Sequence, residues 1–212
     1  MIEVIKLKTV YGENIVFENL NFTINNGEIV LIKGVNGRGK STLCYALAGI
    51  IPRNIDADIY GKIVIDGVNI NDISNADLIK KVSIVFQNPD SMLFSPTIED
   101  ELAFAPENLC LVRSEIRKRV NDAIELTGIS NLTDSSPSKL SGGQKKMVAI
   151  ASILTKNSDI LIFDEVFNCL DNNSTDKIIE IIKSLNNEGK TIIMVEHSNK
   201  LDKLETKIID LG

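Results

Sequence analysis

The sequence predicts an α/β fold: a mixed sheet core with an antiparallel β subdomain and an inserted helical subdomain. Three observations predict it. Four short, nearly all-apolar runs at 29–33, 82–86, 160–163 and 192–195 have the composition of strands buried on both faces of a covered parallel sheet. Helical patterns lie between them, and strands alternating with helices build α/β sheets. Alternating runs near the start of the chain are punctuated by Tyr11-Gly12-Glu13-Asn14, Asn25-Asn26-Gly27 and Asp66-Gly67, the signature of an antiparallel region.

Each element follows from local pattern. Residues 3–8, 14–17, 21–24 and 62–65 read as the short antiparallel strands. The run 29–33 leads into a glycine-rich loop and a helix over 41–49. A helix over 114–126 places Ile116, Val120, Ala123 and Ile124 on one face and stops at Gly128. Helices over 144–154 and 174–185 follow, the second closing at Asn186-Asn187-Glu188-Gly189. No buried-strand run falls between 88 and 139, which predicts a mostly helical insertion. The expected organisation is one domain over 1–212, with its core and antiparallel region in 1–88 and 140–212 and a helical subdomain in 89–139.

Composition narrows the function. No apolar run approaches the roughly 20 residues of a membrane-spanning helix, and residues 1–6 read as an alternating strand rather than a secretory leader. A net charge of −6 disfavours general affinity for phosphate backbones, so the basic face of Arg113, Arg117, Lys118 and Arg119 reads as solvated and no nucleic-acid partner is expected. Cys44, Cys110 and Cys169 are odd in number and too far apart for a metal pair, and are expected to be free buried thiols of a reducing compartment.

Gly34-Val35-Asn36-Gly37-Arg38-Gly39-Lys40-Ser41-Thr42 fits the pattern G-x-x-x-x-G-K-[ST], directly after an apolar strand and at the start of a helix. The glycines let successive backbone N–H groups converge on phosphate oxygens, and the helix N-terminus adds favourable potential. Lys40 is expected to reach the β and γ phosphates and Ser41 to ligate Mg²⁺. Asp164 and Glu165 end the run 160–163, where a sheet presents side chains at its carboxyl edge. One acid there suits water-linked Mg²⁺ and the other suits proton acceptance from an attacking water.

A second glycine pair, Leu140-Ser141-Gly142-Gly143-Gln144, follows no strand, and Lys145 and Lys146 fall inside its helix. It therefore reads as a capped helix start whose bare amides touch a phosphate from outside. The order of phosphate loop, LSGGQ and ILIFDE, over nearly the whole chain, resembles the ATP-binding cassette (ABC) ATPases. The resemblance implies a P-loop NTPase of ABC type that hydrolyses ATP with Mg²⁺, in which two domains meet head to tail. Ser141, Gly142, Gly143 and Gln144 of one would close over the nucleotide of the other. It further implies that Tyr11 stacks on adenine, that Gln87 meets Mg²⁺ and the attacking water, that Asp171 crosses the dimer interface, and that His197 contacts the γ-phosphate. Three features depart from the family pattern: Arg38 within the loop, Val166-Phe167 where Pro-Thr is common, and Cys169 in the aspartate loop.

Residues 85–109, VFQNPDSMLFSPTIEDELAFAPENL, resemble the matching segment of energy-coupling factor (ECF) importers of vitamins and metal ions. That resemblance implies a peripheral ATPase subunit on the cytoplasmic face of the membrane, paired with itself or a sibling, whose 85–109 surface receives a transmembrane coupling subunit. That family usually continues with another short strand and a C-terminal region that helps dimerisation, so a chain ending at Gly212 is expected to dimerise weakly without nucleotide or to be part of a longer product. Taken one at a time, Met92, Leu93, Phe94, Leu102 and Phe104 read as core of the helical insertion. The alternatives are another class of ABC importer ATPase, or a soluble ABC ATPase acting on nucleic acid or the ribosome. The long coiled coil or the second cassette and basic linker of those soluble proteins are not found in this sequence.

Overall fold

The computed structural model describes residues 1–168, 170–196 and 204–212. Strands β1 (Ile2–Tyr11) and β2 (Asn14–Ile24) pair antiparallel around the turn at Gly12, with Ile2 opposite Ile24 and Tyr11 opposite Asn14. Next come β3 (Ile29–Lys33), α1 (Lys40–Leu47), β4 (Asp58–Ile65), β5 (Val68–Asn69) and α2 (Asn75–Lys81). After β6 (Val82–Val85) there are only helices, α3 (Ile98–Asn108), α4 (Arg113–Thr127) and α5 (Gly142–Leu154), until β7 (Ile160–Asp164). The described chain ends with α6 (Asn172–Asn187), β8 (Thr191–Val195) and β9 (Lys207–Asp210).

These strands form two sheets, an antiparallel one in the order β2-β1-β4-β5 and a parallel one in the order β6-β7-β8-β3-β9. The parallel strands bury both faces, as their apolar runs predict. Val30 and Ile32, Ile160 and Ile162, and Ile193 and Val195 enter a core shared with α1 and the antiparallel sheet. The alternate residues Leu31, Leu161 with Phe163, and Ile192 with Met194 enter a second core with α3 to α6. On α6, Ile178, Ile181, Ile182 and Leu185 recur at helical spacing and are all buried. Fully burying one such side chain contributes about 1.5–3 kcal/mol.

Several elements differ from the sequence reading. The two segments 14–17 and 21–24 are one strand, because a bulge absorbs the polar interval: Asn19 is left-handed at φ 55 and the pairing shifts between Leu7 and Thr9. The Asn21 side chain accepts the Lys6 N–H at 2.9 Å, satisfying a donor that the bulge frees. On the facing strand, Gly61 is left-handed, and a Cβ there would collide with the Lys6 carbonyl. Helix α2, capped by Ser74, and edge strand β9, parallel to β3, were not anticipated. Cys44 is buried, but Cys110 is exposed, in a left-handed turn just past the end of α3.

Candidate functional site

Between β3 and α1 the chain turns through left-handed Gly37 and Gly39, at φ 82 and 80. A Cβ on Gly39 would collide with Val16 and come within 3.0 Å of the Phe17 ring. Glycine thus lets β2 lie against the loop. The Lys40 side chain, 5 % exposed, folds back along the loop, its ammonium donating to the Gly34 carbonyl at 3.0 Å and the Val35 carbonyl at 2.9 Å. Two of its three donors are held, which fixes the charge under the loop.

The Ser41 hydroxyl donates to Asp164 Oδ1 at 3.1 Å, joining the start of α1 to the end of β7. Asp164 is fully buried, and its Oδ2 has no hydrogen-bond partner. Burial pushes this carboxyl above its usual range, as does the neighbouring Glu165, while the Ser41 hydrogen bond and the Lys40 charge oppose the shift. An orphaned, buried carboxylate oxygen beside a hydroxyl is a donor set that suits a hard divalent cation.

Glu165 is left-handed at φ 50, and its N–H donates to the Val195 carbonyl of β8 at 3.1 Å. That backbone costs a non-glycine residue about 1–2 kcal/mol, and it directs the side chain to the carboxyl edge of the sheet. There Glu165 Oε2 accepts from Gln87 Nε2 at 2.7 Å and from Asn168 Nδ2 at 2.8 Å.

A cleft of about 480 Å³ gathers Tyr11, Asn36, Gly37, Gly39, Lys40, Ser41, Thr42, Gln87 and Glu165, together with Val16. Gly34 contributes its carbonyl to Lys40 and Asp164 its hydrogen bond to Ser41, from beneath. Arg38 does not line the cleft; it is exposed at the turn, where its N–H reaches the Val35 carbonyl at 3.3 Å. His197 and Cys169 lie outside the described residues. Val166 and Phe167, the departure from Pro-Thr, are each 1 % exposed and belong to the core against α5 and α6.

Ser141, Gly142, Gly143 and Gln144 open α5 and do not line this cleft. The Ser141 hydroxyl accepts the Gln144 N–H at 3.3 Å, and the Gln144 side chain accepts the Ser141 N–H at 2.9 Å, closing a capping box. The glycines are not required by this backbone: neither is left-handed, and a Cβ on Gly142 would meet nothing within 4 Å. Glycine inside a helix costs about 0.5–1 kcal/mol relative to alanine; at Gly142 it leaves the first turn bare to close approach from outside, whereas a Cβ on Gly143 would meet the Leu170 side chain at 3.4 Å. Asp171 caps α6, accepting the Ser174 N–H at 2.7 Å, and hydrogen bonds from that turn hold its carboxyl below the usual range.

A second concavity, about 770 Å³ and largely apolar, runs between α2, β6 and α3, within reach of the 85–109 segment. Leu102 is buried, but Phe94 and Phe104 are 65 % and 46 % exposed and stack edge to face at 4.7 Å on its rim. They are rim rather than core, because Glu101, buried below them, accepts the N–H groups of Phe94 and Ser95 and turns that segment outward. Lys156 lines the same groove, and burial lowers its ammonium to about 8.

Sequence reasoning missed Val16, which is one apolar strand residue among many, and Asn168, whose amide is drawn to Glu165 only by the turn after β7.

The fold and cleft together define a nucleotide-binding α/β protein with a phosphate loop and an acidic pair at the sheet edge. The family model described as ABC transporter matches residues 17–168. The energy-coupling factor transporter ATP-binding protein EcfA of Methanosarcina acetivorans is 44 % identical over 182 residues, 85 % of this chain and 64 % of that protein. A relative from Methanosarcina mazei is 43 % identical over 181 residues, 85 % of this chain and 31 % of its own length. Among solved structures, cbiO1 of Clostridium perfringens, part of the ABC transporter complex cbiONQ, superposes with a TM-score of 0.79 at 36 % identity, covering 93 % of this chain and 78 % of its own. The ATP-binding cassette MJ0796, in a dimeric post-hydrolysis state bound to ADP and Pi, gives 0.84 at 29 % identity, covering 99 % and 94 %. The chain belongs to the ABC transporter family. It spans 31 % and 64 % of the length of these two curated relatives.

Proposed function

We propose that this chain binds and hydrolyses ATP as one of two cassettes that power an importer of the energy-coupling factor type. The observation that carries this reading is the convergence of Lys40, the Ser41–Asp164 hydrogen bond and the Gln87–Glu165 hydrogen bond on one cleft. Similarity to EcfA and to cbiO1 supports the importer class.

In this reading Tyr11 offers its ring to adenine, and Asn36, Gly37, Gly39, Lys40 and Thr42 hold the phosphates, while Arg38, exposed outside the cleft, has no part in holding them. Ser41, Gln87 and, through water, Asp164 would hold Mg²⁺, which when bound would neutralise charge on the phosphates. Gln87 orients the attacking water and Glu165 accepts its proton. Lys40 and His197 stabilise charge on the transferring phosphoryl. Ser141, Gly142, Gly143, Gln144 and Asp171 meet the nucleotide of the opposing cassette, whether a second copy or a sibling.

The 89–139 region serves as a helical subdomain over a core built from 1–88 and 140–212. The groove beside Phe94 and Phe104 receives a transmembrane coupling subunit, which places the chain peripherally on the cytoplasmic membrane face. Among the described residues no helix is long and apolar enough to cross a membrane. The solute is a vitamin or metal ion captured by another component, since the cleft of this chain is lined for a nucleotide.

The test is affinity capture of the tagged chain from detergent-solubilised membranes of its own organism. A polytopic membrane subunit together with an ATPase sibling is the expected result. Capture of ribosomes or DNA-repair proteins overturns the importer reading.

A further inference from the structure

Two lysines of α5 have no part in the reading above, yet both are largely removed from water. Lys145 Nζ sits 2.6 Å from Asp90 Oδ1 with its side chain 19 % exposed. Lys146, 8 % exposed, donates to the backbone carbonyl of Asn168. Each bond runs from the first turns of α5 to a loop that ends on the same atom.

Asp90 follows Gln87 by three residues, in a segment braced by its own hydrogen bonds. The segment closes in a tight turn over Pro89–Ser91, where the Asn88 side chain accepts the Asp90 N–H at 3.0 Å and the Ser91 hydroxyl donates to the Asn88 carbonyl at 2.7 Å. Gln87 Nε2 then donates to Glu165 Oε2. On the other side the carbonyl of Asn168 takes Lys146 while its side-chain amide donates to the same Oε2. The contacts close a ring from Glu165 through Gln87, Asp90, Lys145, Lys146 and Asn168 back to Glu165. Helix α5 is a rigid anchor for it, since Met147, Val148, Ala149, Ile150 and Ala151 are all buried.

We infer that Lys145 and Lys146 are positioning residues that set the Glu165 carboxylate, Lys145 through Asp90 and Gln87 and Lys146 through Asn168. The helix whose capped start faces the opposing nucleotide thereby fixes the base of its own chain, so a shift of α5 on closure reaches both donors of one oxygen together. This rests on Glu165 being the base.

Charge exchange tests it. In the purified full chain, Lys145→Asp and Asp90→Lys each lower kcat for ATP about tenfold, with KM within about twofold, because residues 34–42 are untouched and only the placement of the reacting groups is disturbed. The double exchange restores kcat to within about threefold of the starting protein. Lys146→Met and Asn168→Ala lie on one path, so the double variant loses no more than the worse single. Affinity for a fluorescent ATP analogue and the melting temperature report folding, and Asn168→Ala, at an exposed side chain, remains a test if a lysine variant does not fold.

An exchanged pair no better than its singles, single variants that turn over normally, or Lys146 and Asn168 losses that multiply, overturns the inference. Glu165→Gln is run in parallel. If it is inactive while the exchange fails to rescue, the positioning role alone falls. If it turns over normally, the base assignment falls and the positioning role with it.

Discussion

Ser41 Oγ lies 3.1 Å from one oxygen of Asp164, and the other oxygen of that carboxylate is buried with no partner. The pair is half-satisfied, and the unsatisfied half belongs to a group whose charge is costly to bury.

Asp164 therefore sets a pH-dependent stability. Its carboxyl is raised in the folded chain, chiefly by burial, so the unfolded chain gives up this proton first. The favourable contribution is full below the unfolded value and is lost as pH rises through the folded one. Asp164→Asn is expected to raise the melting temperature of the nucleotide-free protein at pH 8, with the gain shrinking toward pH 4. The same variant loses the stabilisation that Mg-ATP gives the parent. Equal melting temperatures for variant and parent at pH 8 would refute this account.

Glu165→Gln keeps the shape of the side chain and an oxygen for Gln87 but cannot take up a proton. Turnover is expected to fall by roughly 10²–10⁴-fold, the typical contribution of a general base. ATP affinity holds, and a nucleotide-bound dimer accumulates that size-exclusion chromatography detects. Turnover at the parental rate removes Glu165 from the role.

Gly142 separates stability from activity. Its backbone is ordinary and a Cβ meets open space, so Gly142→Ala is expected to stabilise α5 by about 0.5 kcal/mol. If the opposing nucleotide packs onto this helix start, the same methyl lowers ATP hydrolysis roughly tenfold or more, the scale of losing one oxyanion-stabilising contact. A thermal melt and a turnover assay on one preparation read both signs.

Lys156 burdens the groove in a way its pKa makes measurable. Its folded value of about 8 lies below the ordinary 10.5, so below pH 8 the folded chain carries a charge it has partly desolvated. Stability rises as pH climbs between those values, because the unfolded chain holds the proton longer. Lys156→Met is expected to stabilise the protein at pH 7 by about 1–2 kcal/mol, less than the full shift implies because the ammonium still reaches solvent. Chemical denaturation at pH 7 and pH 10.5 should show the gain at the first and little at the second.

The parts of the fold legible in the sequence were those governed by local chemistry. The runs around Val30, Ile84, Ile162 and Ile193 have the length and composition of two-faced strands, and the loop from Gly34 to Thr42 has the glycines of a tight turn between a strand and a helix. What stayed hidden depended on distant partners. Nothing near Asn21 announces that its amide repairs a bulge at Lys6, and nothing near Phe94 announces that Glu101 holds that segment outward. In the site, the residue types of Lys40, Ser41 and Asp164 were readable from motif and position, and Gln87 from the family resemblance. The geometry was not: that Gln87 and Asn168 share one oxygen of Glu165 follows from a left-handed turn that no pattern encodes.

The capping box at the start of α5 has a consequence for fuel choice. Gln144 spends its side-chain carbonyl on its own backbone, so what the helix presents outward is amide, hydroxyl and bare glycine. Such a surface discriminates phosphate from its absence, and it is blind to the base at the other end of the molecule. In the cleft, Tyr11 and Val16 offer flat and aliphatic contact, which any purine satisfies. GTP should then compete with ATP to within about tenfold, since a site that makes no hydrogen bond to a group rejects its analogues only weakly. A cell would be left to favour ATP by abundance, and any work this cleft powers would follow total purine triphosphate rather than adenylate alone.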